Sequence, residues 1–249
     1  MRIGGIVDMS TVDWYGNVSL VIFFSGCNFR CPYCQNSGLI PLESGEEVDI
    51  ELIGERIRIG RQLLDAVVFT GGEPLLQPKA LMEAGELVKG FGLKLMIDTN
   101  GSIPSSMEPL LKADLVDRVA LDVKAPMIPE DYKRVAGLRV DEKTVVEGIK
   151  RTIDMCEERG VTIEARTTIA PTISDGDEFV RRIASQITNH CDVYYLQQFD
   201  NTGEVLSPEI KALEPPSRRK MMELAEIAIQ EGVRKVYIKT RKDGLERVE

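Results

Sequence analysis

Three cysteines stand close together, at Cys27, Cys31 and Cys34, with the spacing C-x3-C-x2-C. They follow the apolar run 20–24, which predicts a strand, so they lie on the loop at its carboxyl end. Thiolates from one short loop can bind three irons of a small iron–sulfur cluster. A cluster of four irons would then keep one iron free of protein ligands, and an open metal position is where a cofactor or substrate binds.

Zinc or three buried thiols are the alternatives at these positions. A structural zinc site takes four ligands, and the one histidine of the chain, His190, lies far away in the sequence. Cys156 and Cys191 are expected to be small buried side chains, because the first lies within a predicted helix and the second just before a strand. The ligand count therefore favours an iron–sulfur cluster.

Composition restricts the class of protein. The chain has 249 residues, of which 43% are hydrophobic, so a sizeable core can form. Five cysteines, three of them clustered, indicate metal chemistry and not a disulfide framework. The sequence lacks a long apolar run and a signal peptide, so we expect a cytosolic protein without a membrane partner. The net charge of −9 argues against nucleic acid as a partner.

The elements that must position the cysteines alternate along the chain. Helices are expected at 48–64, 79–89, 107–112, 142–158, 177–187 and 218–230. Strands are expected at 2–7, 18–24, 66–70, 93–97, 118–123, 161–168, 193–196 and 233–238. This alternation predicts an α/β fold with a parallel sheet covered by helices. We expect a single domain over 1–249, with an N-terminal hairpin extension at 1–17 and a C-terminal helix and strand within 216–249.

The single tryptophan, Trp14, lies in the loop between the first two predicted strands. There it either covers one end of the sheet or contacts a substrate or partner.

Polar residues follow several of the predicted strands. Ligands of parallel α/β folds bind at the carboxyl ends of the strands, so these residues are expected to meet. Gly71 and Gly72 would let the backbone approach a ligand closely, and Glu73 could accept a hydrogen bond from an ammonium group. Asp98 and Asn100 follow the next strand.

Charged residues end the two strands after that. Asp122 and Lys124 stand together, and taken in isolation they are expected to serve helix capping and surface ion pairs. The planar guanidinium of Arg166 suits a carboxylate or ribose, or else an ion pair with a neighbouring acid. No residue stands out as a general acid or base, so no catalytic residue is assigned.

The string GCNFRCPYCQN at 26–36, together with GGEP at 71–74, resembles the signatures of radical S-adenosylmethionine (SAM) enzymes. The resemblance implies a partial (β/α)6 barrel with parallel strands. It also implies one 4Fe–4S cluster on Cys27, Cys31 and Cys34, with SAM as co-substrate bound to the fourth iron. Tyr33 would then lie near the adenine, and the 71–73 motif would contact the methionine amino group of SAM.

The DTNG string at 98–101 and LDVK at 121–124 resemble motifs that line the SAM site of glycyl-radical-enzyme activases. By that resemblance Asp98 and Asp122 bind a monovalent cation, and Lys124 contacts SAM or substrate. The remaining residues of the cofactor site would be Gln35, Asn100, Arg166 and Gln198. Gln35 departs from the histidine of many activases, and Gln198 or Phe199 stands where related activases have another histidine.

The segment 10–16 before the cysteines and LQQF at 196–199 resemble the activating proteins of anaerobic ribonucleoside-triphosphate reductase. This implies a glycyl-radical enzyme as protein substrate and a low-potential electron donor such as ferredoxin or flavodoxin. Two alternatives remain open. One is a small-molecule radical SAM enzyme such as the 7-carboxy-7-deazaguanine synthase type, and the other is a non-enzymatic iron–sulfur or zinc-binding module.

Overall fold

The computed structural model describes residues 1–249, and a ten-stranded sheet runs through it. The strands are β1 (Arg2–Ser10), β2 (Ser19–Phe24), β3 (Glu46–Glu47), β4 (Ala66–Gly71), β5 (Lys94–Thr99), β6 (Arg118–Asp122), β7 (Thr162–Ile169), β8 (Val193–Gln198), β9 (Val236–Thr240) and β10 (Gly244–Val248). The helices are α1 (Ile50–Gly60), α2 (Pro78–Gly90), α3 (Pro104–Lys112), α4 (Pro129–Ala136), α5 (Glu142–Glu158), α6 (Asp177–Ile187), α7 (Pro208–Lys211) and α8 (Arg218–Gln230).

The strand order is β10-β9-β8-β7-β6-β5-β4-β2-β1-β3. Strands β2 and β4 to β9 all run parallel. Antiparallel strands flank this series, since β1 pairs with β2, β3 with β1 and β10 with β9. The prediction of an α/β fold with parallel strands is confirmed, and β9 is the strand expected after the last long helix.

The two faces of the sheet contact different parts of the protein. Because side chains alternate along a strand, residues such as Phe69 and Ile97 point outwards into the main hydrophobic core with the helices. A separate small cluster on the inner face contains Val68, Met96 and Ala120 together with Trp14. Two residues further along the same strands, the inner face carries Thr70, Asp98 and Asp122. The inner face is therefore apolar at Val68, Met96 and Ala120 and becomes polar two residues later, at the carboxyl ends of the strands.

The loop between β1 and β2 crosses this inner face. Trp14 is 4% exposed and packs in the inner cluster, with the Arg118 guanidinium 5.5 Å from its ring. It thus covers the end of the sheet, the first of the two alternatives. The Tyr15 and Tyr237 ring centroids lie 6.5 Å apart. Since β2 and β9 begin and end the parallel series, this contact requires a sheet curved into a partial barrel.

Several short elements were not expected from the sequence. Helix α4 begins at Pro129 and ends before Gly137, whose φ of 58° is left-handed. It buries Tyr132, Val135 and Ala136, too few apolar residues to give a clear helical period. Strands β3 and β10 and helix α7, within the segment expected to be irregular at 201–216, were also missed. No helix is long and apolar enough to span a bilayer.

Candidate cofactor site

A cavity of about 300 Å³ opens at the carboxyl ends of the parallel strands. It lies above the apolar inner cluster, where the inner face of the sheet turns polar. Most residues expected to form the site line it: Cys27, Cys31, Tyr33, Cys34, Gln35, Gly71, Gly72, Asp98, Asn100, Asp122, Lys124 and Arg166.

The cysteine loop is tied to the protein by its backbone. Gly26, in the left-handed region at a φ of 93°, turns the chain out of β2. Its amide donates to the carbonyl of Leu39 at 2.8 Å, and the Cys27 amide donates to that of Ile40 at 3.0 Å. On the far side, the Arg30 amide donates to the carbonyl of Ala136 at 2.9 Å, so α4 supports this loop.

A second segment holds the carboxyl end of the cysteine loop. The Leu206 amide donates to the carbonyl of Cys34 at 3.2 Å, and the Ser207 amide donates to that of Pro32 at 2.9 Å. The Gln35 side chain reaches the same segment, donating to the carbonyl of Asp200 at 3.0 Å. The long loop after β8 therefore acts as a brace for the cysteines.

The three thiols suit an iron–sulfur cluster. Burial raises the pKa of Cys27 to about 12 and that of Cys31 to about 11, and it also raises the pKa of Cys34. Three thiols on one cavity wall are the ligand set of a cluster in which each sulfur binds a different iron.

The GGE motif packs against the cysteine loop. The Gly72 amide donates to the carbonyl of Phe24 at 2.9 Å, and the Glu73 amide donates to that of Gly26 at 2.7 Å. Gly71 has a φ of 114°, which a residue with a side chain rarely adopts. The glycines bring the end of β4 directly beside the first cysteine and face the cavity.

Glu73 differs from the expectation, because its side chain does not line the cavity. It is fully buried, and its carboxylate accepts hydrogen bonds from the Leu75 amide, the Thr99 hydroxyl and the Asn100 amide at 3.0, 2.8 and 2.7 Å. Burial raises the pKa of Glu73 to about 7, although these hydrogen bonds oppose the rise. Its carboxylate joins the ends of β4 and β5 and is occupied inside the protein.

Arg166 is the centre of a buried ionic network. Its guanidinium contacts Asp98 Oδ2 at 3.0 Å and Glu164 Oε1 at 2.6 Å, and it donates to the carbonyl of Asp13 at 3.1 Å. Arg166 therefore forms the ion pairs that were one of its two alternatives, and it also lines the cavity. Burial raises the pKa of Asp98 to about 6, although the Arg166 charge lowers it.

Lys124 lies between Asp122 and the thiols. Its ammonium is 2.7 Å from Asp122 Oδ2. Burial alone would lower the pKa of Lys124, but the Asp122 carboxylate and the Cys31 and Cys34 sulfurs raise it overall. The lysine is thus a fixed positive charge beside the cysteines, where it can partly balance an anionic cluster.

The expectation that Gln198 belongs to the cofactor site is the second one that the structure corrects, because its side chain points away from the cavity. Its amide donates to the carbonyl of Pro216 at 2.7 Å and accepts from the Arg241 amide at 2.9 Å. Phe199 is buried in the main core. Gln197, one residue earlier on β8, lines the cavity instead. In the register of β8 with β7, Gln197 pairs with Thr168, and both side chains line the cavity.

Other lining residues were not identified from the sequence. They are Asp13, Phe23, Phe29, Asn36, Ile40, Thr70, Thr99, Thr168, Gln197 and Lys239. Of the two remaining cysteines, Cys156 is buried in the main core, as expected, whereas Cys191 is half-buried outside the cavity.

Comparison with known proteins agrees with this geometry. The model of the radical SAM superfamily matches residues 21–183. A Methanocaldococcus jannaschii protein named as a glycyl-radical enzyme activating enzyme is 38% identical over 226 residues, 91% of each chain. The pyruvate formate-lyase-activating enzyme of Clostridium pasteurianum is 33% identical over 192 residues, 76% of each chain.

A solved radical SAM methyltransferase from Sphaerobacter thermophilus has the same fold. The two structures superpose with a TM-score of 0.70 at 16% sequence identity. The superposition covers 91% of this chain and 67% of the methyltransferase. Radical SAM proteins bind a 4Fe–4S cluster and SAM, and the three cysteines at the mouth of the curved sheet fit that cluster. From the superfamily match, the similar sequences and the common fold, we conclude that this chain belongs to the radical SAM superfamily of enzymes.

Proposed function

We propose that this protein is a glycyl-radical-enzyme activase whose partner is an anaerobic ribonucleoside-triphosphate reductase. The observation that carries the proposal is the 38% identity, over 91% of both chains, to a protein named as a glycyl-radical enzyme activating enzyme. The segments 10–16 and 196–199, which resemble reductase activating proteins, support the choice of partner. All 249 residues would serve as one domain, since strands from both ends join one sheet.

In this proposal Cys27, Cys31 and Cys34 hold the cluster. When bound and reduced, the cluster would supply one electron to SAM, giving methionine and a 5′-deoxyadenosyl radical that would take a hydrogen atom from a glycine of the partner and become 5′-deoxyadenosine. The task of the protein is to orient SAM and to exclude water. Buried Phe29 and Tyr33, which line the cavity, serve the exclusion of water.

Three groups of residues would orient SAM. The backbone at Gly71 and Gly72 faces the cavity beside Cys27 and would accept from the methionine ammonium. Lys124 and Arg166 would offer positive charge to the SAM carboxylate or to substrate. Tyr33, Gln35 and Asn100 complete the walls of the cavity.

We further propose a monovalent cation between Asp98 and Asp122. One oxygen of Asp98, Oδ1, is buried with no hydrogen-bond partner, and an unsatisfied buried carboxylate oxygen is a suitable cation ligand. Thr70, on the same inner face as Asp98, lowers the pKa of the Asp98 carboxyl and lines the same cavity. Asp122 lines the same cavity.

A low-potential donor of the ferredoxin or flavodoxin class would reduce the cluster, and the cytoplasm would be the site of action. Anaerobic, reduced protein with SAM and the reductase tests the proposal. We expect a glycine-centred radical by electron paramagnetic resonance, with 5′-deoxyadenosine formed in proportion to it. SAM cleavage without a radical on the reductase would overturn it in favour of a small-molecule radical SAM enzyme.

A further inference from the structure

Three polar side chains form a closed ring of hydrogen bonds beside the cavity. The Asn100 amide nitrogen donates to Asn28 Oδ1 at 2.9 Å, and the Asn28 amide nitrogen donates to Ser102 Oγ at 2.8 Å. The Ser102 hydroxyl donates to Asn100 Oδ1 at 2.6 Å, which closes the ring. Each side chain donates once and accepts once within the ring, and Asn100 Oδ1 also accepts from the Ser102 backbone amide at 3.0 Å.

The ring connects two parts of the site that are distant in sequence. Asn28 directly follows Cys27, and its partners Asn100 and Ser102 lie 72 and 74 residues later, after β5. Local turns use asparagine and serine to bond their own backbone. Here Asn28 instead bonds across to another strand end, so its role is not local turn formation.

The buried Glu73 carboxylate completes a circuit around the first cysteine. The backbone amide of Asn100 donates to Glu73 Oε2 at 2.7 Å, and the backbone amide of Glu73 donates to the carbonyl of Gly26 at 2.7 Å. The residues on both sides of Cys27 are thereby linked to Asn100. Cys27 and Asn100 line the cavity, whereas Asn28 and Ser102 do not.

We propose that Asn28 and Ser102 are positioning residues that hold Cys27 at a fixed place relative to the end of β5, and so couple cluster geometry to SAM binding. They act through Cys27 and Asn100 and touch neither ligand. The inference rests on the cavity binding the cluster and SAM, which is common to the superfamily, and not on the partner chosen above.

The test compares Asn28→Ala, Ser102→Ala, their double variant and the conservative Ser102→Thr, with Ser185→Ala on the exposed side of α6 as matched control. Three quantities are measured without any partner protein. They are the Kd for SAM, the electron paramagnetic resonance spectrum of the reduced cluster with and without SAM, and the rate of iron loss to a chelator. Because no glycyl-radical enzyme is present, a wrong choice of partner does not alter the result.

We expect each alanine variant to weaken SAM binding roughly two- to ten-fold, the size of one neutral hydrogen bond. The spectrum of the SAM-bound cluster should change and iron should be lost faster. The double variant should be little worse than either single one, because both break the same ring. Ser102→Thr, which keeps the hydroxyl, and Ser185→Ala should behave like the unchanged protein.

Two outcomes would overturn the proposal. In the first, the alanine variants lower the unfolding temperature of the metal-free protein while SAM affinity and the cluster spectrum stay unchanged, which makes the ring a brace of the fold alone. In the second, the effects of the two single variants add in full. If Asn28→Ala does not fold, Ser102→Ala, which removes only a hydroxyl, decides the question by itself.

Discussion

Gly72 packs against Gly26 so closely that a methyl group on Gly72 would overlap the carbonyl oxygen of Gly26 and lie 3.3 Å from Cys27 Cβ. The loop after β4 can run beside the cysteine loop only with glycine at this position. The glycine is therefore required by the contact between two loops, in addition to any contact with a ligand.

A Gly72→Ala variant should displace the cysteine loop. We expect less iron bound after reconstitution and a lower unfolding temperature, because the added methyl group must push the Gly26 carbonyl and Cys27 away. Gly90→Ala at the end of α2 is the control, since nothing lies within 4 Å of a methyl group there. Equal iron content in the two variants would show that the loops tolerate separation.

Cys31→Ala should abolish the cluster, whereas Cys191→Ala should leave it in place. Cys31 is buried against the cavity, and Cys191 lies outside it. Iron, sulfide and zinc analysis of anaerobically reconstituted protein measures the difference. A full cluster in the Cys31 variant, or zinc without iron in the unchanged protein, would contradict the assignment of the ligands.

Arg166→Met should lower the free energy of unfolding by about 3–5 kcal/mol, because it leaves Asp98 and Glu164 as buried carboxylates with one cation fewer. Arg219→Met on α8 is the control, and this 87% exposed arginine should contribute at most about 0.5 kcal/mol. Denaturant unfolding of the metal-free proteins gives both values. The Arg118 guanidinium also lies 2.9 Å from Glu164 Oε2, so a small effect at Arg166 would mean that this second ion pair is enough to compensate Glu164.

The raised pKa of Glu73 predicts a pH dependence of stability. The folded protein binds this proton up to about pH 7, whereas the unfolded chain releases it near pH 4.5. The stabilisation that comes from binding this proton is therefore present in full below about pH 4.5 and is lost as the pH rises to about 7. The free energy of unfolding falls by about 3 kcal/mol over this range. Glu73→Gln should flatten this slope, and Glu223→Gln on exposed α8 should not. Parallel slopes for all three metal-free proteins, measured with denaturant, would assign the dependence to other groups.

The sequence was informative where spacing determines placement. The cysteine spacing and the polar residues after successive strands predicted most of the cavity wall, because parallel strands bring their carboxyl ends to one edge. It was less informative about side-chain direction. Gln197 and Gln198 are identical in type, and only the register of β8 with β7 decides which of them faces inwards.

Glu73 shows a second limit. Its neighbours Gly71 and Gly72 indicate a ligand site, but two of the three donors that occupy its carboxylate, the Thr99 hydroxyl and the Asn100 backbone amide, come from the end of β5 and are visible only in the fold. The ring around Asn28 was missed for the same reason, since its hydrogen bonds join residues 72 and 74 positions apart. Long-range polar contacts leave no periodic signal in the sequence.

The loop that crosses the sheet affects how the protein is made. Lys239 donates to the carbonyl of Val12 at 3.4 Å, although 227 residues separate them. During synthesis the cysteine loop leaves the ribosome early, whereas Gln197 and Lys239 of the cavity wall emerge late, and contacts of such long range form slowly. A nascent chain that stops before Val236 contains all three cysteines but lacks Lys239 of the cavity wall and the strand β9 that carries it. Enclosure of the cluster therefore has to wait for the last parallel strand, and iron delivered earlier would meet thiols open to water and oxygen.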